Sequence, residues 1–378
     1  MIKLFKPIIL SAVAVFMLSG CLPHTELDNQ AIVEAIGIDY ADNNYEVTVQ
    51  YFNMEGTGGN SPIDSTKANV INVSGKGESV TAALESASLK CGKPFMYGIT
   101  SLIIIGRDAL DIDIVKTMSF AESYYQSNPK VLIAAAEEKA SDILGVKFKE
   151  GIISIEHLRM ILDNADYNGI AESVKILELL SEQRREYGGT VLPVLKSLNN
   201  GSDASDDGKT VELSGGYLIA ERKFAGEVSL SDMSGLMLLE KRTKNALLSV
   251  DFEGDKVAVT AYDISLSIGH HYNKGKLIFD ISVRANGKYT DSQLDDKDAS
   301  FSGEVEKACA QRIIDRIKSA FLNTAKSYGC DPCGLKYVIS GKNYTEWIRL
   351  EENFGEVLKN AEFYVVCDID IDRFGIAH

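Results

Sequence analysis

The sequence predicts a multi-domain protein of mixed α/β and α+β class, with an N-terminal α/β module followed by a C-terminal α+β module whose sheet is largely antiparallel. In the first half, apolar runs of strand length alternate with segments of helical periodicity. In the second half, two long alternating segments meet at Asn273-Lys274-Gly275, which is typical of paired antiparallel strands. A chain of 378 residues that is 45% hydrophobic has enough apolar material for more than one core.

The N-terminal module is predicted from its apolar periodicity. The run Leu-Ile-Ile-Ile at residues 102–105 is continuous and apolar, as in strands covered on both faces. Ser154 precedes a helical pattern and is a candidate N-cap. The predicted strands cover residues 31–40, 45–53, 68–74, 102–105 and 131–136, and the predicted helices cover residues 78–90, 114–125, 155–162 and 169–183.

The C-terminal module begins with a predicted hairpin around Glu221-Arg222. In its first long strand the apolar positions change phase, from Val257 and Val259 to Ile264 and Ile268, which predicts a β-bulge. The predicted strands cover residues 210–220, 223–228, 256–268, 276–288 and 362–371, and helices are predicted at residues 231–239, from residue 302, and at residues 347–357.

The expected domain boundaries follow from breaks in this periodicity. Residues 1–20 form a cleaved signal peptide, residues 21–195 an N-terminal domain, residues 196–209 an exposed linker and residues 210–378 a C-terminal domain. A small subdomain at residues 188–245 is a candidate addition to the C-terminal domain. The polar loops at residues 54–67 and 199–209 are candidate contact regions because of their expected exposure.

The chain is acidic, with 39 Lys and Arg against 54 Asp and Glu and a net charge of −15. Removal of a leader carrying Lys3 and Lys6 changes the charge to −17, since that leader holds no acidic residue. A strongly negative body repels phosphate backbones, so nucleic acid is not expected as a partner. With five histidines and six cysteines, the chain has few residues for metal or triad chemistry, and no metal site is expected.

The N-terminus predicts a lipid anchor. Lys3 and Lys6 precede an eleven-residue apolar run at residues 8–18, which is shorter than a membrane span of roughly 20 residues and typical of a signal-peptide core. The run ends in Leu-Ser-Gly-Cys, which resembles the lipobox of bacterial lipoproteins. The resemblance implies cleavage after Gly20 and S-diacylglyceryl and N-acyl groups on Cys21. Two or more acyl chains on one residue give stable membrane attachment.

Five motifs in one chain order carry a wider resemblance. They are Cys21 with Glu26-Leu27 behind it, the strand end Gly37-Ile38-Asp39, the step Gly75-x-Gly77-x-Ser79 into a helix, Gly215-Gly216 with a returning Gly226, and a closing strand over residues 363–371. Together they resemble the Ger(x)C family, the lipoprotein C subunits of nutrient germinant receptors in spore-forming bacteria. The similarity spans essentially the whole mature chain.

The resemblance implies a non-enzymatic subunit that acts through protein–protein contacts in nutrient-triggered spore germination. It implies integral-membrane A and B type receptor subunits as partners, a location on the outer face of the cell membrane (the inner membrane of the spore), and no cofactor beyond the lipid on Cys21. An extracytoplasmic solute-binding lipoprotein of a transporter is the alternative, and would need two similar α/β lobes. A lipid-anchored hydrolase is a third hypothesis, but the sequence has no Gly-x-Ser-x-Gly elbow.

The sharpest side-chain pattern is Cys330-x-x-Cys333. It is compatible with a redox pair, half of a zinc site, a local disulfide or two free thiols. A thioredoxin-like pair needs a preceding strand, whereas residues 321–328 here are predicted to end a helix. A disulfide or free thiols are therefore favoured, and Cys330 and Cys333 are marked as a possible disulfide.

Two further patterns are given structural interpretations. Asp368-x-Asp370-x-Asp372 resembles part of a calcium loop, but Arg373 stands where an EF-hand loop needs glycine, so a strand with one solvated face is favoured. His270 and His271 are adjacent on a predicted strand and point to opposite faces, so they are not expected to share a ligand. No catalytic residue is predicted.

Overall fold

The computed structural model describes residues 30–52, 70–124, 130–148, 154–199, 208–252, 255–291 and 299–372. Within these residues the chain forms a mixed α/β body of two sheets, a large one of nine strands and a smaller one of four. The fold class is therefore as predicted, with two domains and mostly antiparallel pairing in the second.

The first sheet has the order β3-β2-β1-β5-β6-β7-β8-β9, and β4 pairs with β1 outside this path. β1 pairs in parallel with β5, β5 with β6, and β6 with β7, while the remaining neighbours along the order are antiparallel. The strands are β1 (Ala31–Ala41), β2 (Asn44–Phe52), β3 (Val70–Gly77), β4 (Phe95–Met96), β5 (Leu102–Ile105), β6 (Leu132–Ala136), β7 (Gly189–Asn199), β8 (Lys209–Ala220) and β9 (Lys223–Val228).

Helices cover both faces of this sheet, which explains the continuous apolar run in β5. Ile103 and Ile105 face one core, and Leu102 and Ile104 face the other. The helices of this part are α1 (Val80–Cys91), α2 (Ile114–Thr117), α3 (Ser119–Tyr124), α4 (Ala140–Leu144), α5 (Ser154–Tyr167) and α6 (Ile176–Gln183). α1, α2 and α6 contribute to the first core, and α4 and α5 contribute to the second.

Two helix predictions in this region need correction. The helix predicted at residues 114–125 is split into α2 and α3, with Met118 as the C-cap of α2. The helix predicted at residues 169–183 begins only at Ile176. Gly169 adopts a left-handed φ of 65°, and Lys175 forms a β-bridge with Leu132 of β6. The pairing with β6 therefore keeps the residues just before α6 extended, although their apolar spacing is helical.

The hairpin around Glu221-Arg222 is confirmed: both turn residues have positive φ, and β8 pairs with β9. The predicted linker at 196–209 differs from the structure at both of its ends. Residues 196–199 belong to β7 and Lys209 opens β8, and these two strands pair up to Asn199 and Lys209. Residues 200–207 lie outside the described residues. β8 and β9 continue the first sheet, although the sequence predicts them in the C-terminal domain. The domain boundaries therefore stay a prediction.

The second sheet has the order β10-β11-β12-β13. Its strands are β10 (Asn245–Phe252), β11 (Asp255–Asn273), β12 (Lys276–Asp291) and β13 (Glu362–Asp372). β13 pairs with β12 in parallel, which is the exception to the antiparallel pattern. The predicted bulge is confirmed, because the β11–β12 register shifts between Tyr262 and Ser265, where Asp263 has φ 50°.

Helices cover one face of the second sheet. Val305, Cys309, Ile313 and Ile317 form one row along α8 and are fully buried. Gly235 of α7 lies so close to α8 that a Cβ there would stand 2.2 Å from the carbonyl oxygen of Arg316. The helices are α7 (Leu230–Leu239), α8 (Ala299–Phe321), α9 (Leu335–Lys342), α10 (Tyr344–Leu350) and α11 (Phe354–Asn360). α7 thus joins the two parts of the protein.

Candidate functional site

The two parts meet where the loop before α9 contacts the loop between α6 and β7. The N–H of Asp331 donates to the carbonyl of Tyr187 at 2.8 Å, and Gly188 pairs with Asp331 in a parallel β-bridge. The Tyr187 ring packs edge-on against Trp347 and Phe354, with centroids 5.6 and 5.4 Å away. A segment that follows the first sheet's helices is therefore anchored in the core of the second part.

Asp331 organises this junction. It is 2% exposed, and its carboxylate accepts hydrogen bonds from the N–H groups of Leu335 (2.8 Å) and Lys336 (2.9 Å), which satisfies the N-terminal turn of α9. Burial raises the pKa of Asp331 above its usual range, while these N–H groups and the Lys336 ammonium oppose the rise. Lys336 is itself buried and forms an ion pair with Glu182 of α6.

A cleft of about 800 Å³ opens beside this junction. We call it the junction cleft. It is lined by α6 and the segment before it, β7, the end of α7, one residue of β11, and α9 with the loop before it. Its apolar lining includes Val174, Val191, Ile268, Pro332 and Val338. Its carboxylates are Glu172, Glu178, Glu182, Glu240 and Asp331, and its cations are Lys241, Arg242, Lys336 and Lys342.

Glu240 is a second carboxyl group of the cleft with a raised pKa. Its side chain is 18% exposed, and its partner Arg242 lies at 3.7 Å while also pairing with Glu172. Burial, followed by repulsion from Asp331 and Glu178, raises the pKa of Glu240 to about 8.

Cys330 and Cys333 stand on the edge of this junction, and both are free thiols in the structure. The disulfide marked as possible is not formed there. Cys330 packs tightly against Gly189, where a Cβ would stand 3.0 Å from its sulfur. Burial raises the pKa of Cys330 to about 12 and also raises that of Cys333, so neither thiol has the thiolate character of a redox-active cysteine.

The adjacent histidines are the next side-chain candidates. Among the described residues, no group of three His, Cys, Asp or Glu side chains is placed to hold a metal ion. His270 lies 3.4 Å from Glu346 and His271 lies 2.6 Å from Asp280, so the two rings have separate partners as expected.

The acidic triplet is described at two of its three positions, since the side chain of Asp372 lies outside the described residues. Asp368 and Asp370 are exposed on β13, and they alternate with Ile369 and Ile371, which are buried. The strand therefore has one solvated face, as the sequence indicated.

The motif Gly37-Ile38-Asp39 serves packing. Gly37 lies under α4, where a Cβ would stand 3.1 Å from the Ala140 Cβ. Asp39 accepts hydrogen bonds from the N–H groups of Ala140 (2.7 Å) and Ser141 (3.1 Å), and so satisfies the start of α4. The motif thus allows a helix to sit directly on the strand.

Gly75-x-Gly77-x-Ser79 works in the same way for α1. A Cβ at Gly75 would stand 2.2 Å from the carbonyl oxygen of Ala83, and one at Gly77 would stand 2.6 Å from its nitrogen. Ser79 is the N-cap, since its hydroxyl accepts from the N–H of Ala82. These motifs therefore position helices against strands.

Two predicted features lie outside the described residues. The first is the N-terminal segment with Cys21, so lipidation stays a prediction. The loop at residues 54–67 also lies outside. Within the described residues, no helix has both the length and the apolar character that a membrane span requires.

The sequence did not predict the junction cleft. Its residues form no motif in the sequence. Glu240 is about ninety residues before Asp331 and Lys336, and all three are common residue types, so their spacing does not indicate a site. One local signal exists, because Asp331 precedes a helix and can cap it.

Comparisons with known proteins agree over nearly the whole chain. The family model for the spore germination protein N-terminal domain matches residues 23–197. The model for the spore germination B3/GerAC-like C-terminal domain matches residues 214–375. Spore germination protein KC of Bacillus subtilis (strain 168) is 22% identical over 400 residues, which cover 97% of this chain and 95% of that protein.

The fold has a solved counterpart. The crystal structure of the GerBC protein superimposes with a TM-score of 0.58 and 16% identity, covering 89% of this chain and 96% of that chain. The two domain models match in the same chain order as the two sheets, and the fold also matches. Both findings agree with the order of the motifs in the sequence. The chain therefore belongs to the Ger(x)C family of spore germination proteins.

Proposed function

We propose that this protein is the lipid-anchored C subunit of a nutrient germinant receptor and that it acts without catalysis, through protein contacts at the membrane. The match of both spore germination domain models across the chain is the observation that carries this proposal. The motif Leu-Ser-Gly-Cys supports the anchor, because it places Cys21 directly behind a signal-peptide core.

The anchor faces the outer side of the cell membrane, which in a spore is the inner membrane. The acyl chains on Cys21 hold an acidic body at a surface that its own charge of −17 would otherwise disfavour. The partners are the integral-membrane A and B type subunits of the receptor. Two observations support a role in protein contacts without catalysis. The motif glycines allow helices to pack directly on strands. The buried Cys330 thiol has a raised pKa, which disfavours a reactive thiolate.

The alternative of a transporter's solute-binding lipoprotein requires two similar α/β lobes. In the described residues the sheets differ in kind: one is mixed with helices on both faces, and the other has helices on one face. This difference favours the receptor subunit.

The anchor is tested by comparing Cys21→Ala with Cys91→Ala, a matched loss of a partly exposed cysteine elsewhere. We expect wild type and Cys91→Ala in the membrane fraction with a diacylglyceryl N-terminal peptide by mass spectrometry. We expect Cys21→Ala to be unprocessed and unlipidated. Recovery of an acylated Cys21→Ala protein, or of a wild-type N-terminus without lipid, would contradict the anchor.

The receptor role is tested by crosslinking and affinity purification from spore membranes. We expect the wild-type protein to recover A and B type subunits in comparable amounts. Their absence from a purification that does recover the lipidated protein would contradict the proposed partners.

A further inference from the structure

β13 is an outer strand of the second sheet. It pairs with β12 on one side, and no strand among the described residues pairs with its other side. The N–H of Ile371 donates to the Glu306 carboxylate of α8 at 3.3 Å, so this N–H points away from β12. Backbone groups alternate in direction along a strand, so every second residue back to Phe363 faces outward as well. An unpaired edge of this length is a template for another strand.

Side chains close the two ends of this edge and leave its middle between them. Glu306 accepts from Ile371 at one end, and the Lys326 ammonium donates to the carbonyl of Ala361 at 2.7 Å at the other. Between these contacts lies the stretch 363–369, with Val366 at its centre. The side chain of Val366 is 63% exposed on the open face of the sheet. The middle of the edge therefore combines outward backbone groups with an exposed apolar side chain.

The opposite edge of the sheet is less suited to pairing. Arg316 of α8 donates to the carbonyl of Leu247 inside β10 at 3.1 Å. α8 also contacts the other outer strand, because the ring of Phe321 stacks on that of Phe363 with centroids 3.7 Å apart. A helix that contacts both outer strands lies across the middle of the sheet. It therefore leaves room beside β13.

The charges along β13 make this edge complementary to its own reverse. On the α8 side, Lys318 and Lys326 line a groove at the start of β13, and Glu306 lies at its end. On the open side, Tyr364 lies near the start and Asp368 near the end, and both are exposed. A second copy in antiparallel orientation brings each basic end against an acidic end, and each tyrosine hydroxyl against a carboxylate.

We propose that two copies of this chain pair through β13 in antiparallel orientation, about a two-fold axis at Val366. The four-stranded sheets of the two copies then join into one continuous sheet. An interface of this symmetry uses the same surface of both copies, so the self-complementary charges favour a second copy over an unrelated strand.

This axis fixes the register of the pairing. Phe363 of one copy lies opposite Ile369 of the other, and Val365 lies opposite Cys367, and each of these pairs exchanges two backbone hydrogen bonds. The two Val366 side chains contact each other on the open face. They lie in a pair without backbone hydrogen bonds, where the Cα atoms of antiparallel strands are about 4.5 Å apart.

The proposal does not rest on the receptor role, and cysteine crosslinking tests it in membranes of cells that produce the full-length chain. Val366→Cys places two thiols within the Cα separation that a disulfide allows. Tyr364→Cys is the matched control, since it is exposed on the same face of the same strand. The two Tyr364 positions are displaced by about 13 Å along the paired strands, which is too far for a disulfide.

After mild oxidation with copper–phenanthroline, we expect Val366→Cys to form a disulfide-linked dimer on a non-reducing gel. We expect Tyr364→Cys to show only the background of the wild type, whose own cysteines are unchanged. Co-production of Tyr364→Cys with Asp368→Cys should restore the crosslink, because these two positions lie opposite each other. Equal crosslinking of Val366→Cys and Tyr364→Cys, or a Val366→Cys crosslink to a different protein in place of a second copy, would overturn the proposal.

Sedimentation of the full-length protein in detergent micelles measures the association without a crosslink. We expect a wild-type dimer with a dissociation constant of about 10 µM or tighter, and at least tenfold weaker association of Val366→Lys, whose ammonium groups meet at the axis. Leu247→Lys adds the same charge to an exposed position of the same face on β10 and should leave the dimer unchanged. Thermal unfolding verifies that both variants fold. A wild type that is monomeric up to about 100 µM, or an unchanged dimer in Val366→Lys, would overturn the proposal.

Discussion

The two sheets differ in how neighbouring residues of one strand are buried. In β5 of the first sheet, Ile103 and Ile104 are adjacent and both fully buried, since each faces a different core. In β13 of the second sheet, Val365 is 8% exposed and its neighbour Val366 is 63% exposed. The first sheet is therefore enclosed between two layers of helices, while the second presents one open face.

This difference indicates which strand positions tolerate substitution and which do not. A strand covered on both faces reads as a continuous apolar run, and every position in it packs. A strand covered on one face alternates, and half of its side chains are available for contacts. The open face of β12 and β13 therefore has side chains available for contacts at alternate positions.

The largest expected effect is in β5. Ile103→Ala and Ile104→Ala should each lower the free energy of unfolding by about 3 kcal/mol, since each deletes buried methyl groups from one of the two cores. Denaturant unfolding followed by circular dichroism measures both losses. A loss below about 1 kcal/mol for either variant would contradict the two-sided burial of this strand.

The next effect is a pH dependence of the free energy of unfolding that comes from Glu34 of β1. This residue is 8% exposed. Burial, followed by repulsion from Glu156, raises the pKa of Glu34 from 4.5 to about 7. The folded state therefore holds this proton more tightly than the unfolded state, and the resulting stabilisation is complete below about pH 4.5 and is lost as the pH rises to about 7. The loss is up to about 3 kcal/mol.

Glu34→Gln should remove this part of the pH dependence, and the exposed control Glu85→Gln should retain it. Urea unfolding at pH values from about 4.5 to 7 measures the slope. An identical slope in wild type and Glu34→Gln would show that Glu34 does not titrate with a raised pKa.

A smaller effect is expected at the junction between the sheets. Asp331→Ala leaves the N–H groups of Leu335 and Lys336 without their acceptor and should cost about 2 kcal/mol. Asp331→Asn keeps one acceptor oxygen and should cost less. Thermal unfolding ranks the two variants, and equal stability of Asp331→Ala and wild type would show that the cap contributes nothing.

The smallest effect distinguishes the faces of the second sheet. Val365→Ala should cost about 1.5 kcal/mol, whereas Val366→Ala should stay within about 0.5 kcal/mol of wild type. Both variants replace valine by alanine at adjacent positions of β13, so the loss of β-strand propensity is the same in the two. Equal costs would contradict the open face.

Much of the fold could be predicted because its signals are local. The apolar run of β5, the turn Glu221-Arg222 and the phase change before Asp263 are each visible within a few residues. The extended segment before α6 could not be predicted, because Lys175 pairs with Leu132, about forty residues earlier.

The candidate site was less predictable than the fold. The sequence singled out Cys330 and Cys333, yet Asp331, one of the two residues between them, makes the polar contacts. Glu240 and Glu182 reach the cleft only through the packing of α7 and α6, which no spacing rule reports. Contacts between distant segments are set by tertiary packing, so their chemistry emerges only in the folded chain.

The central claim, that this protein is a receptor subunit in spore germination, is tested most directly by dipicolinate release from spores. Spores that lack this gene are compared across a nutrient panel with spores restored by wild type or by Cys21→Ala, and a non-nutrient germinant is the control. We predict loss of the response to one nutrient set, restoration by wild type alone, and an intact control response. An unchanged nutrient response in a strain that also lacks related copies would contradict the account.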